Sequence, residues 1–267
     1  MDILRRNNVK VIGSPGRQVV VLAHGFGCDQ NMWRLVAPAL AGEFHVVLFD
    51  YVGSGGSDPS AWSDQRYMSL DGYARDVIEV CEALDLEDVA FVGHSVSSMI
   101  GVRAAAVAPE RFSSLAMVGP SPCYIDDDTY CGGFSAEDID ELLESIESNY
   151  LGWSAAMAPV IMGSPDRPEL GEELTHSFCA ADPAMARVFA RTTFLSDSRG
   201  DLKSVTVPTL VLECAQDAIA PREVGAHVHA AIPGSRLVTL DATGHCPQLS
   251  APEATTSAIR TFLRELR

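Results

Sequence analysis

The stretch Val89-Ala-Phe-Val-Gly-His-Ser-Val-Ser-Ser98 changes from an apolar run to a helical pattern within a few residues. Residues 89–93 have the composition of a buried strand, and residues 96–107 have the pattern of a helix. A serine at such a sharp strand-to-helix turn projects its hydroxyl above the edge of the sheet. The usual pattern is G-x-S-x-G, and Ser97 replaces the last glycine with another small residue. The stretch therefore predicts Ser95 as a nucleophile.

A nucleophilic serine requires a general base and an acid that orients the base, and both follow here in the expected order. Asp217 and His245 each come just after a predicted late strand. Both would therefore lie at the carboxyl edge of a parallel sheet, where Ser95 is also expected. Asp241 is an alternative acid, but it stands only four residues before His245. We predict a catalytic triad of Ser95, His245 and Asp217.

An oxyanion site is predicted in the loop His24-Gly25-Phe26-Gly27, at the end of the first strong apolar run. The expected donors are the backbone amides of Phe26 and of Val96, the residue after the nucleophile. Such donors stabilise charge that develops only in the transition state, an effect worth several kcal/mol. We also expect the Phe26 side chain to line a substrate pocket.

Short apolar runs alternate with helical patterns over most of the chain. This alternation predicts an α/β fold with a mostly parallel sheet that helices cover on both faces. Residues 68–84 carry an apolar stripe at helical spacing. Residues 250–266 form a further helix, with Ser250 and Glu253 as a capping box at its start. The predicted strands are residues 19–24, 44–50, 89–93, 115–118, 207–212 and 236–240.

The alternation stops between residues 121 and 199, where no convincing strand occurs. Helical patterns in this segment cover residues 135–149, 153–160, 171–179 and 183–195. An insertion of this kind is more often a lid than an independent domain. We therefore expect a core formed by residues 1–120 and 200–267, and a helical lid formed by residues 121–199.

Composition narrows the classes of function. The 267 residues include 36 acidic and 19 basic side chains, which gives a formal net charge of −17. Such an acidic surface disfavours nucleic acids and anionic membranes as partners. The chain shows no apolar run of membrane-spanning length and no signal peptide, and its seven cysteines form no CxxC pair. We expect a monomer or weak dimer in the reducing cytoplasm.

The remaining motifs are weaker. The glycine-rich loop at residues 53–58 lacks the GK[ST] ending of a phosphate-binding loop and favours a structural turn. His227 and His229 lie two residues apart on a predicted helix and would face apart, which makes them a poor metal pair. Residues 126–128 are more typical of a solvated acidic loop than of a calcium site. We predict no metal and no organic cofactor.

Long motifs in a fixed order resemble a known family. They are HGFGCDQNMW (24–33), FDYVGSGGSD (49–58), GHSVSS (93–98), CAQDAIAP (214–221) and GHCPQLS (244–250). On these motifs the chain resembles the RsbQ-type α/β-hydrolases, bacterial regulators of the general stress response, and less closely the plant strigolactone and karrikin receptors. The resemblance implies an α/β-hydrolase fold with a V-shaped helical lid over an apolar pocket. The implied pocket residues are Phe26, Tyr124, Phe134, Trp153, Met157, Phe194 and Ile219.

The resemblance also implies a function. It indicates a serine hydrolase that acts slowly on a small, mostly apolar ester or lactone in a stress-signalling role, with a PAS-containing serine phosphatase as partner. The second hypothesis is a ligand-binding signalling receptor with little or single turnover, and the rate of turnover separates the two. A general metabolic carboxylesterase, a C–C hydrolase and a cofactor-free haloperoxidase on the same scaffold also fit the sequence.

Overall fold

The fold is built on one seven-stranded sheet, seen in a computed structural model that describes all residues, 1–267. The strands are β1 (Lys10–Gly13), β2 (Val19–Ala23), β3 (His45–Leu48), β4 (Val89–His94), β5 (Phe112–Val118), β6 (Thr209–Gln216) and β7 (Arg236–Thr243). Their order across the sheet is β1-β3-β2-β4-β5-β6-β7. Only β1 runs antiparallel to its neighbour, β3, so the predicted mostly parallel sheet of an α/β-hydrolase fold is confirmed.

All six predicted strands form, with ends that shift by a few residues. The run 207–212 becomes a strand only from Thr209 onward, because Pro208 has no backbone N–H to donate to a neighbouring strand. The sequence analysis missed β1. This four-residue edge strand is exposed at three positions, so it shows neither an apolar run nor a regular alternation.

The strand that ends at Ser95 lies at the centre of the sheet. β4 is buried at all six of its residues and pairs with β2 on one side and β5 on the other. Because β2, β4, β6 and β7 are parallel, their carboxyl ends meet at one edge. The loops after these four strands carry the candidate site residues to that edge.

Eleven helices accompany the sheet. They are α1 (Ile3–Arg6), α2 (Ala37–Ala41), α3 (Asp64–Tyr67), α4 (Leu70–Ala83), α5 (Val96–Val107), α6 (Ala136–Met162), α7 (Pro168–Ala180), α8 (Pro183–Phe194), α9 (Arg222–Ala231), α10 (Pro247–Ser250) and α11 (Pro252–Glu265). None of them combines the length and the apolar character that crossing a bilayer requires.

The predicted start of the C-terminal helix is wrong. Instead of one helix from Ser250, the chain forms α10 and α11 with a break at Ala251. Pro252 takes the first position of α11, and a residue before proline is disfavoured in the helical conformation. The Ser250 hydroxyl consequently caps nothing and has no hydrogen-bond partner.

Three helices, α6, α7 and α8, separate β5 from β6, within the segment predicted as the lid. A capping box of Ser135 and Asp138 starts α6. The predicted helices 135–149 and 153–160 are two parts of α6, which continues through a kink at Asn149. We refer to residues 121–199 as the helical insertion.

Candidate active site

Ser95 lies in a sharp turn between β4 and α5. Its backbone adopts φ 56° and ψ −126°, a left-handed conformation that non-glycine residues rarely adopt. The turn is tight enough that a Cβ on Gly93 would lie 2.5 Å from the carbonyl oxygen of Ser97. Glycine at position 93 therefore lets α5 pack closely on the strand, and the strained turn lifts the Ser95 hydroxyl above the sheet.

The structure brings the three predicted triad residues into one hydrogen-bonded line. The Ser95 hydroxyl lies 2.8 Å from His245 Nε2, and His245 Nδ1 lies 2.7 Å from Asp217 Oδ2. A carboxylate only accepts, so Nδ1 donates to Asp217 and Nε2 is left to accept from Ser95. Asp241, the alternative acid, is exposed and makes no hydrogen bond to His245.

Asp217 is held as a carboxylate. Burial opposes its charge, but His245 and the backbone amides of Ile219 and Ala220 together keep the pKa of Asp217 below its ordinary value. The two amides donate to Oδ1 at 2.8 Å and 3.2 Å, which leaves Oδ2 for the imidazole. The acid is therefore ionised at neutral pH and fixes the orientation of the His245 ring.

A second histidine, which the sequence analysis did not single out, positions the first. His94 Nε2 lies 2.7 Å from the backbone carbonyl oxygen of His245 and therefore carries a proton. Burial is the main cause that lowers the pKa of His94 to about 3, so its ring stays neutral. This neutral ring ties the strand that ends at Ser95 to the loop that carries His245.

The His245 loop also rests directly on the helical insertion. The backbone N–H of His245 donates to the carbonyl of Ile161, near the end of α6, at 2.8 Å. Gly244 makes this contact possible, because a Cβ there would lie 1.8 Å from the Met162 carbonyl oxygen. The position of α6 and the position of the imidazole are thus directly linked.

The two predicted oxyanion donors are free to bind a ligand. The amides of Phe26 and Val96 donate to no acceptor within the protein. Val96 is the first residue of α5, where a backbone N–H has no partner inside the helix. Gly25 packs against the turn so closely that a Cβ there would lie 3.2 Å from the Ser95 Cβ. The loop of Phe26 therefore lies next to the Ser95 hydroxyl.

A small, mainly apolar cavity opens beside Ser95 and His245. Five of the predicted pocket residues line it, namely Phe26, Tyr124, Trp153, Phe194 and Ile219. Burial raises the pKa of Tyr124 to about 12, so its hydroxyl stays neutral. The sequence analysis missed Cys28, Ile161, Leu174, Phe178, Thr193 and Cys246, because apolar side chains in loops and helices carry no pattern that separates pocket from core.

Two predicted pocket residues, Phe134 and Met157, do not line this cavity. Phe134 is half-buried in a short bridge with Ile125, before α6 begins, and packs against the core. Met157 stands four residues from both Trp153 and Ile161 on α6, yet it is only half-buried and packs against neighbouring core residues. Neither side chain therefore faces this cavity, and their assignment to the substrate pocket stays a prediction.

Comparisons with known proteins identify the family of this chain. A model of the alpha/beta hydrolase family matches residues 20–258. The chain belongs to this family. A karrikin insensitive 2 receptor of Petunia hybrida is 40% identical over 92% of this chain and 90% of its own length. The strigolactone esterase of Arabidopsis thaliana is 38% identical over 98% of each chain.

Among solved structures, a hydrolase from Oleispira antarctica shares 44% identity with this α/β-hydrolase, with a TM-score of 0.96 over 98% of this chain and 96% of its own. The resemblance to the plant strigolactone and karrikin receptors is confirmed. The finer assignment to the RsbQ type stays a prediction.

The cavity of this α/β-hydrolase is almost filled by its own side chains. The space open to the centre of a water molecule is about 30 Å³, room for about two waters. Phe26, Trp153 and Phe178 are among the aromatic side chains that line it, and the Trp153 and Phe178 rings stack with centroids 5.7 Å apart. Binding even a small ester therefore requires that side chains or the helical insertion move.

Proposed function

We propose that this protein is a serine hydrolase that cleaves small, mostly apolar esters or lactones, slowly and in a regulatory role of the RsbQ type. The observation that carries the proposal is the line of hydrogen bonds from Ser95 through His245 to Asp217 beside an apolar cavity. Apolar walls favour neutral substrates, and three polar side chains in this order supply the groups that acyl transfer needs.

In the proposed mechanism Ser95 Oγ attacks the ester carbonyl carbon while His245 Nε2 takes the hydroxyl proton. The carbonyl oxygen becomes an oxyanion that accepts hydrogen bonds from the Phe26 and Val96 amides. Asp217 stabilises the imidazolium. His245 then gives its proton to the leaving alcohol, which departs and leaves an acyl group on Ser95. A water molecule, deprotonated by His245, then attacks the acyl carbonyl carbon. The bond from this carbon to Ser95 Oγ breaks, His245 returns the proton to Oγ, and the carboxylic acid product leaves.

A signalling receptor with little or single turnover is the second candidate, and the volume of the cavity favours it. A cavity with room for about two waters must expand for each binding event, and this expansion slows turnover. In this role we propose a small apolar ligand, and a PAS-containing serine phosphatase as the protein that receives the signal. The seven free cysteines suit the reducing cytoplasm, where we place the protein.

The test is a time course of p-nitrophenyl acetate cleavage by wild type, Ser95→Ala and Ser114→Ala. Ser114 is an equally buried serine whose hydroxyl has no partner, so its removal is the matched control. We expect Ser95→Ala to lose at least about a thousandfold in kcat, and Ser114→Ala to match wild type.

The shape of the wild-type time course separates the two functions. Steady turnover supports the hydrolase, whereas a burst of one equivalent followed by near-arrest supports the receptor with slow deacylation. Equal rates for wild type and Ser95→Ala would rule out Ser95 as the nucleophile.

A further inference from the structure

The backbone of His245 is anchored at two points that belong to different parts of the molecule. Its N–H donates to the carbonyl of Ile161, in the helical insertion, at 2.8 Å. Its C=O accepts from His94 Nε2, at the end of β4, at 2.7 Å. No other group donates to this carbonyl. The position of the triad base therefore depends on one contact to the insertion and one contact to the sheet.

The two anchors differ in what a substrate does to them. The cavity beside Ser95 is almost filled by side chains, and Ile161 is one of the residues that line it. When the insertion moves to admit an ester, the bond from the His245 N–H to Ile161 is stretched. His94 instead belongs to the central strand of the sheet, which is buried at all six residues and pairs on both sides. The anchor from His94 therefore does not depend on where the insertion lies.

The His94 ring is held firmly in its place. Gly25 packs against one edge of the ring so closely that a Cβ there would lie 2.7 Å from His94 Nδ1. The opposite edge faces His245, with ring centroids 5.0 Å apart. His94 Nδ1 is buried and has no hydrogen-bond partner, so the bond to the His245 carbonyl is the only hydrogen bond of this ring. The ring thus spans the gap between the oxyanion loop and the loop of the base.

We propose that His94 is a positioning residue that keeps the His245 imidazole beside Ser95 while the helical insertion moves to admit the substrate. The inference rests on the proposed function, because it assigns His94 a role during ester binding and acyl transfer. With its carbonyl still anchored to β4, His245 keeps Nε2 within reach of the Ser95 hydroxyl when the bond to Ile161 is lost. Such alignment matters, since a displacement of about 1 Å costs a rate factor of about a hundred.

The experiment replaces His94 by glutamine or leucine and measures cleavage of p-nitrophenyl acetate. The glutamine amide nitrogen is as many bonds from the backbone as His94 Nε2 and can donate to the same carbonyl, whereas leucine fills the space without a donor. We expect His94→Leu to lower kcat by at least about tenfold while KM changes by less than about twofold. His94→Gln should recover most of the lost kcat, because it restores the donor.

His45→Gln is the matched control. The His45 ring also has a buried Nδ1 without a partner, but it lies at the start of β3, at the opposite edge of the sheet from the triad. This variant should keep the kcat and KM of wild type. If His94→Leu does not fold, His94→Asn replaces it, since its amide is one bond closer to the backbone and falls short of the His245 carbonyl. Equal losses of kcat with and without the donor would overturn the proposal.

A longer ester tests the link to the movement of the insertion. p-Nitrophenyl butanoate requires a larger opening of the cavity than the acetate, so it depends more on the anchor that remains. We expect the loss of kcat in His94→Leu to be at least about threefold greater for butanoate than for acetate. A loss of the same size on both esters would show that His94 does not act during this movement.

Proton NMR separates failure of this proposal from failure of the proposed hydrolase, because it needs no turnover. The proton between His245 Nδ1 and Asp217 should give a line far downfield, which Asp217→Asn identifies by removing it. We expect this line to be sharp in wild type, His94→Gln and His45→Gln, and broadened by exchange with water in His94→Leu. An equally sharp line in His94→Leu, or no line in wild type, would overturn the positioning role whether or not the protein cleaves esters.

Discussion

Ser97 occupies the position where the G-x-S-x-G pattern has its last glycine, and its hydroxyl forms two hydrogen bonds that a glycine could not form. The hydroxyl is fully buried, donates to the His24 carbonyl and accepts from the Tyr51 hydroxyl at 2.9 Å. It therefore ties the first turn of α5 to the loop that carries the Phe26 amide. A glycine at this position would pack as well but would leave both partners without a hydrogen bond.

We expect Ser97→Ala to lower the free energy of unfolding by about 1–3 kcal/mol, because it leaves the buried His24 carbonyl and Tyr51 hydroxyl unpaired. Urea unfolding followed by circular dichroism measures this change. Ser114→Ala is the control, since that hydroxyl is equally buried but has no partner to lose. Equal midpoints for the two variants would contradict the bridging role of Ser97.

The triad could be predicted from sequence because each member has a distinctive residue type at the end of a predicted strand. The choice of Asp217 over Asp241 depended on spacing, because Asp241 stands only four residues before His245, and the hydrogen bond from His245 Nδ1 to Asp217 provides the physical distinction. The pocket was less predictable. Phe134 and Met157 are apolar residues in the same helical insertion as Trp153 and Phe194, and only the packing of α6 and α8 decides which of them face the cavity.

At the scale of elements, local signals located every central strand but missed features that depend on neighbours. β1 becomes a strand because β3 offers it a hydrogen-bonding edge, not because of its own composition. The helix predicted from Ser250 divides because Pro252 acts on the residue before it, which overrides a good capping sequence. The kink of α6 at Asn149 likewise has no local signal that predicts its direction.

A charge cluster fixes the N-terminal helix and α3 to α4. Glu79 on α4 lies 2.6 Å from Arg6 of α1 and 2.9 Å from Arg66 of α3. Burial opposes the charge of Glu79, but hydrogen bonds from both arginines lower its pKa to about 2. A carboxyl group whose pKa is lower in the folded protein than in the unfolded chain stabilises the fold at pH values above its pKa in the unfolded chain. This stabilisation is lost as the pH falls through its pKa in the folded protein.

We therefore expect Glu79→Gln to be less stable than wild type at pH 7 and to approach wild type as the pH falls from about 4.5 to about 2. Urea unfolding at several pH values measures the difference. Glu82 lies on the same helix but is exposed and forms no ion pair, so Glu82→Gln should have the same free energy of unfolding as wild type at every pH. A difference between Glu79→Gln and wild type that does not change with pH would assign the effect to packing and not to charge.

At the scale of the whole molecule, the net charge of −17 opposes the compact state. Most arginines of the chain are already paired with nearby carboxylates, as Arg264 is with Glu43 at 2.8 Å. Such pairs act over a few ångströms, whereas the surplus of negative charge repels across the molecule. Added salt screens charges that lie farther apart than the Debye length, so it weakens the repulsion more than the pairs.

We expect the melting temperature to rise by about 2–4 °C when sodium chloride increases from about 0.01 M to about 0.1 M, a change that shortens the Debye length from about 30 Å to about 10 Å. Differential scanning calorimetry at constant pH measures the rise, and sucrose at equal osmolarity is the control for effects that do not depend on charge. The same repulsion favours the monomer, so a monomeric elution volume should persist at both salt concentrations. A melting temperature that falls with salt would mean that the short ion pairs stabilise the fold more than the surplus charge destabilises it.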